Sequence, residues 1–600
     1  MKKTGFKKGY FRRLRDESLI LSCLGGLSSR LIYFLKVSII SYLFSGSDIS
    51  DQKLEESALY TSVKTYKVKE KGVRTVKNAC ASAIEHGFTV GLYRRLLTKF
   101  IYMPLSTYGA FLVTYGVYVG LVYFVKLYAF DKGAEFESLV SGCIIILMAL
   151  PLTLIHKPLV ASIGESAFFR SVLSGCIHFD SYKGEKQHGA VGVAIIAGSL
   201  LGVLAFFCDE LMILALLGLV ALALVVLYTP ELGLFLAAAL FPFMERSRLV
   251  ALICFTYGAY LVKVLRSKRN LHLNTGSIFV LLLNIYYGFA VLKGGGMNAL
   301  SAFSVTAVYF LCANLLCTRA LLTKCVQSLA LGFSGVLLMF CNGVLKGGVA
   351  GLEWYDAIRS HGSVFESGAA MSAYIALILP FVFCKVERHS ATTCYLLTVA
   401  GIVYGVFTGN VFLSLMTAAT VTLYLAVSRR QFFRPLTISF GIPLAIFYFA
   451  SFRISVGTAE LYDLVQSWVR TAKRCSEYLI MGVGMSDRSW ALGGFGDTSS
   501  AYLRTLAEGG VVGLMLLVLA LVFACQRMYS VLPKRIDDRR IAAAASASAV
   551  SCIFMGFVSD IWANMDVSFA LWLCLGLASA AYEYRMSKKI GRSDDYLEEY

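Results

Sequence analysis

The sequence predicts an all-α, polytopic helical membrane protein with about 14–16 transmembrane helices and one large extracytoplasmic loop domain near the C-terminus. Three observations carry that expectation. Charged residues make up only 16% of the 600-residue chain and apolar residues 57%, whereas soluble globular proteins carry about 25% charged residues. Mean hydropathy is +0.68, and apolar runs near 18 residues recur from about residue 101 to 584, the length a helix needs to cross a bilayer. Lys and Arg cluster in alternate connections, as the positive-inside rule requires of a multi-pass chain. A soluble enzyme, a secreted disulfide scaffold and a disordered regulator are excluded.

The elements follow in order. Residues 1–100 hold 19 Lys and Arg against 8 Asp and Glu and read as a basic cytoplasmic or interfacial arm, drawn to anionic lipid. The stretch Leu19–Phe44 is broken by Gly25-Gly26, Arg30 and Lys36, so no cleavable signal peptide is expected. Residues 101–344 form an N-terminal transmembrane bundle, with spans at about 102–129, 138–156, 190–207, 211–228, 232–244, 249–266, 275–293, 299–317 and 325–344. A first outer loop covers 345–366. Residues 367–451 carry spans at about 367–384, 392–408, 411–427 and 435–451; a large outer loop fills 452–510; and 511–584 carries spans at about 511–526, 541–559 and 567–584 before a tail at 585–600.

With the N-terminus cytoplasmic, the inner loops His156–His188, Arg266–His272, Lys385–Arg388, Ser428–Arg434 and Gln526–Arg540 carry the basic clusters. The outer loops Asp131–Glu137, Cys208–Glu210 and Ser559–Asp566 are acidic or poor in Lys and Arg. The outer connection Met244–Arg248, with Arg246 and Arg248, is the exception. Most of the 16 Cys lie inside apolar runs, where Cys acts as a small hydrophobe, and no metal-ligand spacing appears.

The chemistry falls in the two long outer loops. The first holds Arg359 and His361, the one His of seven expected to face outward. A guanidinium at a membrane face suits phosphate, and a His titrates near neutral pH. The second contains Arg453, then Trp468, Arg470, Lys473 and Arg474 at helical spacings, then Gly482-Val483-Gly484, Asp497, Ser499-Ser500, Tyr502, Leu506, Glu508, Gly509 and Gly510. Its glycines permit tight turns and close backbone approach. The run Asp497–Ser500 either caps the helix carrying Tyr502–Glu508 or contributes to a site. Arg470–Arg474 reads either as a binding cluster or as a solvated amphipathic face.

The stretch from about Arg470 to Ala520 resembles the signature of the O-antigen ligase and polymerase family of membrane glycosyltransferases. Trp468 and Arg470, Gly482 and Gly484, Tyr502-Leu503, then Leu506, Glu508, Gly510 and Gly513 carry the resemblance. Arg359 to Pro380 is similar to a second family stretch. Ser499 and Ser500 stand where ligase members have His-Asn, and Gly409-Asn410 where Ser-Arg is usual; both departures favour a polymerase, or a divergent ligase with another base.

The resemblance implies transfer or polymerisation of undecaprenyl-pyrophosphate-linked glycan units at the outer face of a bacterial cytoplasmic (inner) membrane, with both termini cytoplasmic. It implies no cofactor, metal or nucleotide sugar. The implied partners are the lipid-linked glycan donor, a glycan or lipid acceptor and membrane lipid, with no nucleic acid. On that basis Arg359, Arg470, Asp497 and His361 are the expected catalytic residues, with Asp497 ahead of His361 as proton acceptor. Arg453, Lys473, Arg474, Ser499, Ser500, Tyr502 and Glu508 are the expected substrate-binding residues. The alternatives are a transporter or flippase of lipid-linked oligosaccharide and a cell-wall glycan-strand polymerase.

Overall fold

A computed structural model of the chain describes residue 100 and residues 102–129, 136–165, 190–265, 275–346, 368–386, 454–486, 490, 500–531 and 536–589. The spans expected at 392–408, 411–427 and 435–451 lie outside the described residues. So do Arg359, His361, Arg453, Asp497 and Ser499, and nearly all of the N-terminal arm.

Among the described residues 89% are helical and there is no strand. The helices are α1 (Leu105–Ala129), α2 (Phe136–Thr153), α3 (Leu159–Glu165), α4 (Val191–Leu204), α5 (Glu210–Tyr228), α6 (Pro230–Leu240), α7 (Arg246–Leu265), α8 (Thr275–Leu292), α9 (Gly296–Leu315) and α10 (Arg319–Lys346). They continue with α11 (Gly368–Val386), α12 (Ile454–Cys475), α13 (Ala501–Val531), α14 (Ile536–Val558) and α15 (Met565–Lys589). Nine of these are long and apolar enough to cross a membrane, and four more are apolar but shorter. They match, one for one, every expected span that lies within the described residues. The protein is a multi-pass helical membrane protein.

Burial ranks the helices. In α15, 89% of the apolar window is buried, in α9 and α14 61%, and every residue of α11 from Ala373 to Val382 is buried, so these four form the centre. In α5 the figure is 6%, which leaves an all-round apolar helix turned to lipid. The central interfaces are built on small side chains, because helices in lipid associate by close packing and not by hydrophobic exclusion. The α14 run Ala542–Ala545 is fully buried. The Ser548 hydroxyl donates to the Leu377 carbonyl of α11 at 2.7 Å, satisfying a polar group that has no water to turn to. Phe241 lies against Tyr374 and Phe569, with ring centroids 5.6 and 4.8 Å away, and locks the turn after α6 to α11 and α15.

A second cluster joins α1, α2 and α4 around the buried Tyr115. In α4, Gly198 and Gly202 stand four residues apart, and an added Cβ would come within 2.6 Å of the Phe111 carbonyl oxygen and 2.4 Å of the Tyr118 Cβ. This is the close backbone approach that small residues at that spacing allow.

Candidate functional site

Several helix ends meet at one face of the bundle. α7 starts at Arg246, α9 at Gly296 and α13 at Ala501, and the turn Ser559–Asn564 joins α14 to α15. The charge-derived topology assigns all of these connections to the same side, and their contacts bear out that common side. The Arg246 guanidinium donates to Asn298 Oδ1 at 2.8 Å and to the Ser301 hydroxyl at 2.6 Å. Asn298 in turn donates to the Met485 carbonyl at 3.3 Å. Across the space between them, Arg504 donates to Glu508 Oε1 and to Asp560 Oδ2, both at 2.8 Å.

These residues line a cleft of about 90 Å³. Tyr287, Trp562 and Trp572 add aromatic walls. The Arg504 guanidinium also lies 5.4 Å from the Trp490 ring centroid, within cation–π range. The four charged groups balance, two arginines against two carboxylates. Arg504, Glu508 and Asp560 side chains are 29%, 13% and 17% exposed, so their pairing is less screened by salt and water than a surface ion pair. Arginine forks suit phosphate, carboxylates accept from hydroxyls, and aromatic faces offer large apolar contact.

Local structure fixes each wall. Asn564 caps α15, its Oδ1 accepting from the backbone N–H of Asp566 at 3.0 Å and of Val567 at 3.3 Å. The Ser568 hydroxyl donates to the Trp562 carbonyl at 2.8 Å. Together they hold the turn that presents Asp560 and Trp562. On α13, the Ser500 hydroxyl donates to the Gly556 carbonyl at 3.2 Å and the Tyr502 hydroxyl to the Ile553 carbonyl at 3.1 Å. Tyr502 also packs on Phe557 and Trp562, with centroids 4.3 and 4.8 Å away. Both side chains dock the start of α13 onto α14 and so set where Arg504 and Glu508 point.

The glycines of the second loop have a specific use. α13 is broken at Gly510, whose φ of 62° and ψ of −165° belong to a region essentially restricted to glycine. The carbonyls of Ala507 and Glu508 accept instead from the backbone N–H of Val483 at 2.8 Å and Gly484 at 2.9 Å. The Val511 N–H donates to the Leu479 carbonyl at 2.8 Å. The segment Leu479–Gly484 thus fills the break, and Gly482, at φ 66°, passes so close that a Cβ would lie 2.5 Å from the Glu508 carbonyl oxygen.

Of the residues expected from sequence, the cleft contains Glu508. Arg470, Lys473 and Arg474 are exposed on α12, and the Arg470 Nε donates to the Gln466 carbonyl one turn back at 3.3 Å; none of the three lines the cleft. Ser500 and Tyr502 stand just behind its wall. Three charged cleft residues are not among the expected site residues: Arg246, Arg504 and Asp560. The signal for Arg246 was present, as the basic connection that broke the positive-inside pattern.

No protein-family model matches the chain, and no curated protein is significantly similar to it.

Proposed function

We propose that the protein is a membrane glycosyltransferase that transfers or polymerises undecaprenyl-pyrophosphate-linked glycan at the outer face of the cytoplasmic membrane. The observation that carries this reading is the cleft itself. Arg246, Arg504 and Glu508 meet at one end of an apolar bundle, and Glu508 belongs to the motif on which the family resemblance rests. A transporter of the same lipid would instead place its polar groups near the midplane.

In the proposed reaction an acceptor hydroxyl oxygen forms a bond to the anomeric carbon of the donor glycan. The bond from that carbon to the pyrophosphate oxygen breaks, and the lipid pyrophosphate leaves. Arg246 and Arg504, with Arg359 of the first outer loop, stabilise the negative charge that grows on it. Glu508 and Asp560 fix the Arg504 fork. The hydroxyl proton passes to a general base, for which the Asp497 carboxylate is the choice, with the His361 imidazole second.

The test uses purified protein in lipid nanodiscs supplied with a polyprenyl-pyrophosphate-linked oligosaccharide, reading release of the lipid pyrophosphate and growth of the glycan. Losing one charge-stabilising donor typically costs about 100- to 1,000-fold in rate. Arg246→Lys should fall in that range because Lys lacks the planar fork, and Asp497→Asn should lose more than His361→Ala. Wild-type turnover in Arg246→Lys and Asp497→Asn together would overturn the proposal.

A further inference from the structure

The helix α12 and the segment after it expose apolar side chains in an ordered way. About 3.6 residues make one turn, so Tyr462, Val465 and Val469 fall on one stripe. They are 65%, 48% and 58% exposed. The neighbouring stripe, with Thr471 and Cys475, is buried against the protein, and Cys475 packs in a small core with Ala507. On the other flank come Gln466, Arg470 and Lys473, all exposed. α12 therefore has three faces: one docked, one apolar and bare, one polar and largely basic.

The bare face does not stop at the end of α12. Leu479, Ile480 and Met481 are 51%, 69% and 69% exposed. The Leu479 carbonyl accepts from Val511, and from Val511 onward α13 shows Val512, Met515 and Val518 as exposed apolar side chains. α13 is one of the helices able to cross a membrane, so this outward face of its apolar part is a lipid-facing surface. The Leu479–Val511 bond ties the exposed segment after α12 to the start of that surface.

A soluble protein rarely leaves so long an apolar strip bare. A helix with an apolar face edged by Lys and Arg is the pattern of one that lies in the plane of a bilayer surface. We infer that α12 and Leu479–Met481 form an interfacial anchor, with Tyr462, Val465 and Val469 sunk into the headgroup–acyl boundary and Arg470 and Lys473 held at lipid phosphates. The occupant of this face is the bilayer that α13 enters, on the side where the cleft opens. Charge complementarity sets the depth: Lys473 and Arg470 meet anionic headgroups, while Asp463, seven residues before Arg470 and slightly further round the helix from the apolar stripe, lies at the water side of that flank. This inference does not rest on the transfer reaction.

The experiment places a nitroxide on p-acetylphenylalanine at position 463, 465 or 469 of the full protein, leaving the native cysteines untouched. The proteins are reconstituted in nanodiscs of phosphatidylcholine with or without phosphatidylglycerol. Accessibility to oxygen and to a water-soluble nickel chelate is then measured. Labels at 465 and 469 should meet oxygen and lose contact with the chelate, and the label at 463 should do the reverse. In Arg470→Gln/Lys473→Gln protein, the label at 469 should move toward water in phosphatidylglycerol discs and stay put in pure phosphatidylcholine. Free access of the chelate to 465 and 469 would overturn the inference. So would protection of both from oxygen and chelate alike, which would mean that a protein partner or second copy covers the face.

Discussion

Replacing Gly510 with alanine tests whether the break in α13 is imposed by the backbone or only tolerated. At φ 62° and ψ −165°, any residue with a Cβ costs about 1–3 kcal/mol more than glycine. Its Cβ would also stand 2.3 Å from the Ile480 carbonyl oxygen and 2.7 Å from the Met481 nitrogen. Both are backbone atoms that cannot rotate away, and overpacking of this kind costs about 1–3 kcal/mol. The cheaper response is for α13 to straighten, so that Ala507 and Glu508 regain donors from their own helix and Leu479–Gly484 is expelled. The combined penalty on the docked state is then about 2–6 kcal/mol. Even the lower figure corresponds to roughly 30-fold faster opening, since about 1.4 kcal/mol is a factor of ten. Hydrogen exchange of peptides spanning 478–484 and 507–512 in detergent micelles reads this directly. Exchange in Gly510→Ala within about threefold of wild type would refute the reasoning, because the break would then not depend on glycine.

Three further outcomes are expected. Arg504→Met and Asp560→Ala should each destabilise the protein in mixed-micelle unfolding, and the double variant should fall short of their sum by about 0.5–3 kcal/mol; strict additivity would mean that the 2.8 Å contact does not form in solution. Gly198→Val should cost about 1–3 kcal/mol by driving a side chain into the Phe111 carbonyl, seen as a lower melting temperature, and an unchanged melt would remove Gly198 from the α1–α4 interface. In a Cys208→Ser background, an impermeant thiol reagent should label Ser476→Cys in intact cells and Ser530→Cys only after permeabilisation, and the opposite pattern would invert the orientation.

The helices were readable because lipid imposes one requirement on every span, a run of apolar residues long enough to satisfy its own backbone. Apolar length therefore placed most of these helices to within about five residues, apart from the seven-residue α3, from α10, which begins six residues before its expected span, and from α13, which begins ten residues before it. The helical spacing of Trp468, Arg470 and Lys473 likewise foreshadowed α12. The cleft was readable only in fragments. Glu508 lies in a motif with recognisable glycines, but its neighbour Asp560 lies 56 residues from Arg504, and no periodicity records which helix ends meet. Arg246 carried a clue of another kind. A basic residue in a connection expected on the outer side needs a reason, and its bonds to Asn298 and Ser301 supply one. The exposed face chosen by Arg470 and Lys473 depends on which stripe of α12 docks, and that is decided by Cys475 and Thr471 packing against the rest of the chain.

The cleft draws its walls from stretches far apart in sequence, from Arg246 through Asn298, Met485 and Arg504 to Asp560. A chain inserted into a membrane from its N-terminus exposes these parts one after another over the course of its synthesis. Until the hairpin of α14 and α15 has entered, Arg504 lacks Asp560 and the Trp562 wall is missing. An unfinished or truncated chain can therefore hold most of its helices in the bilayer and still offer no enclosed polar cleft. Entry of the last hairpin is the step that completes the walls of the cleft.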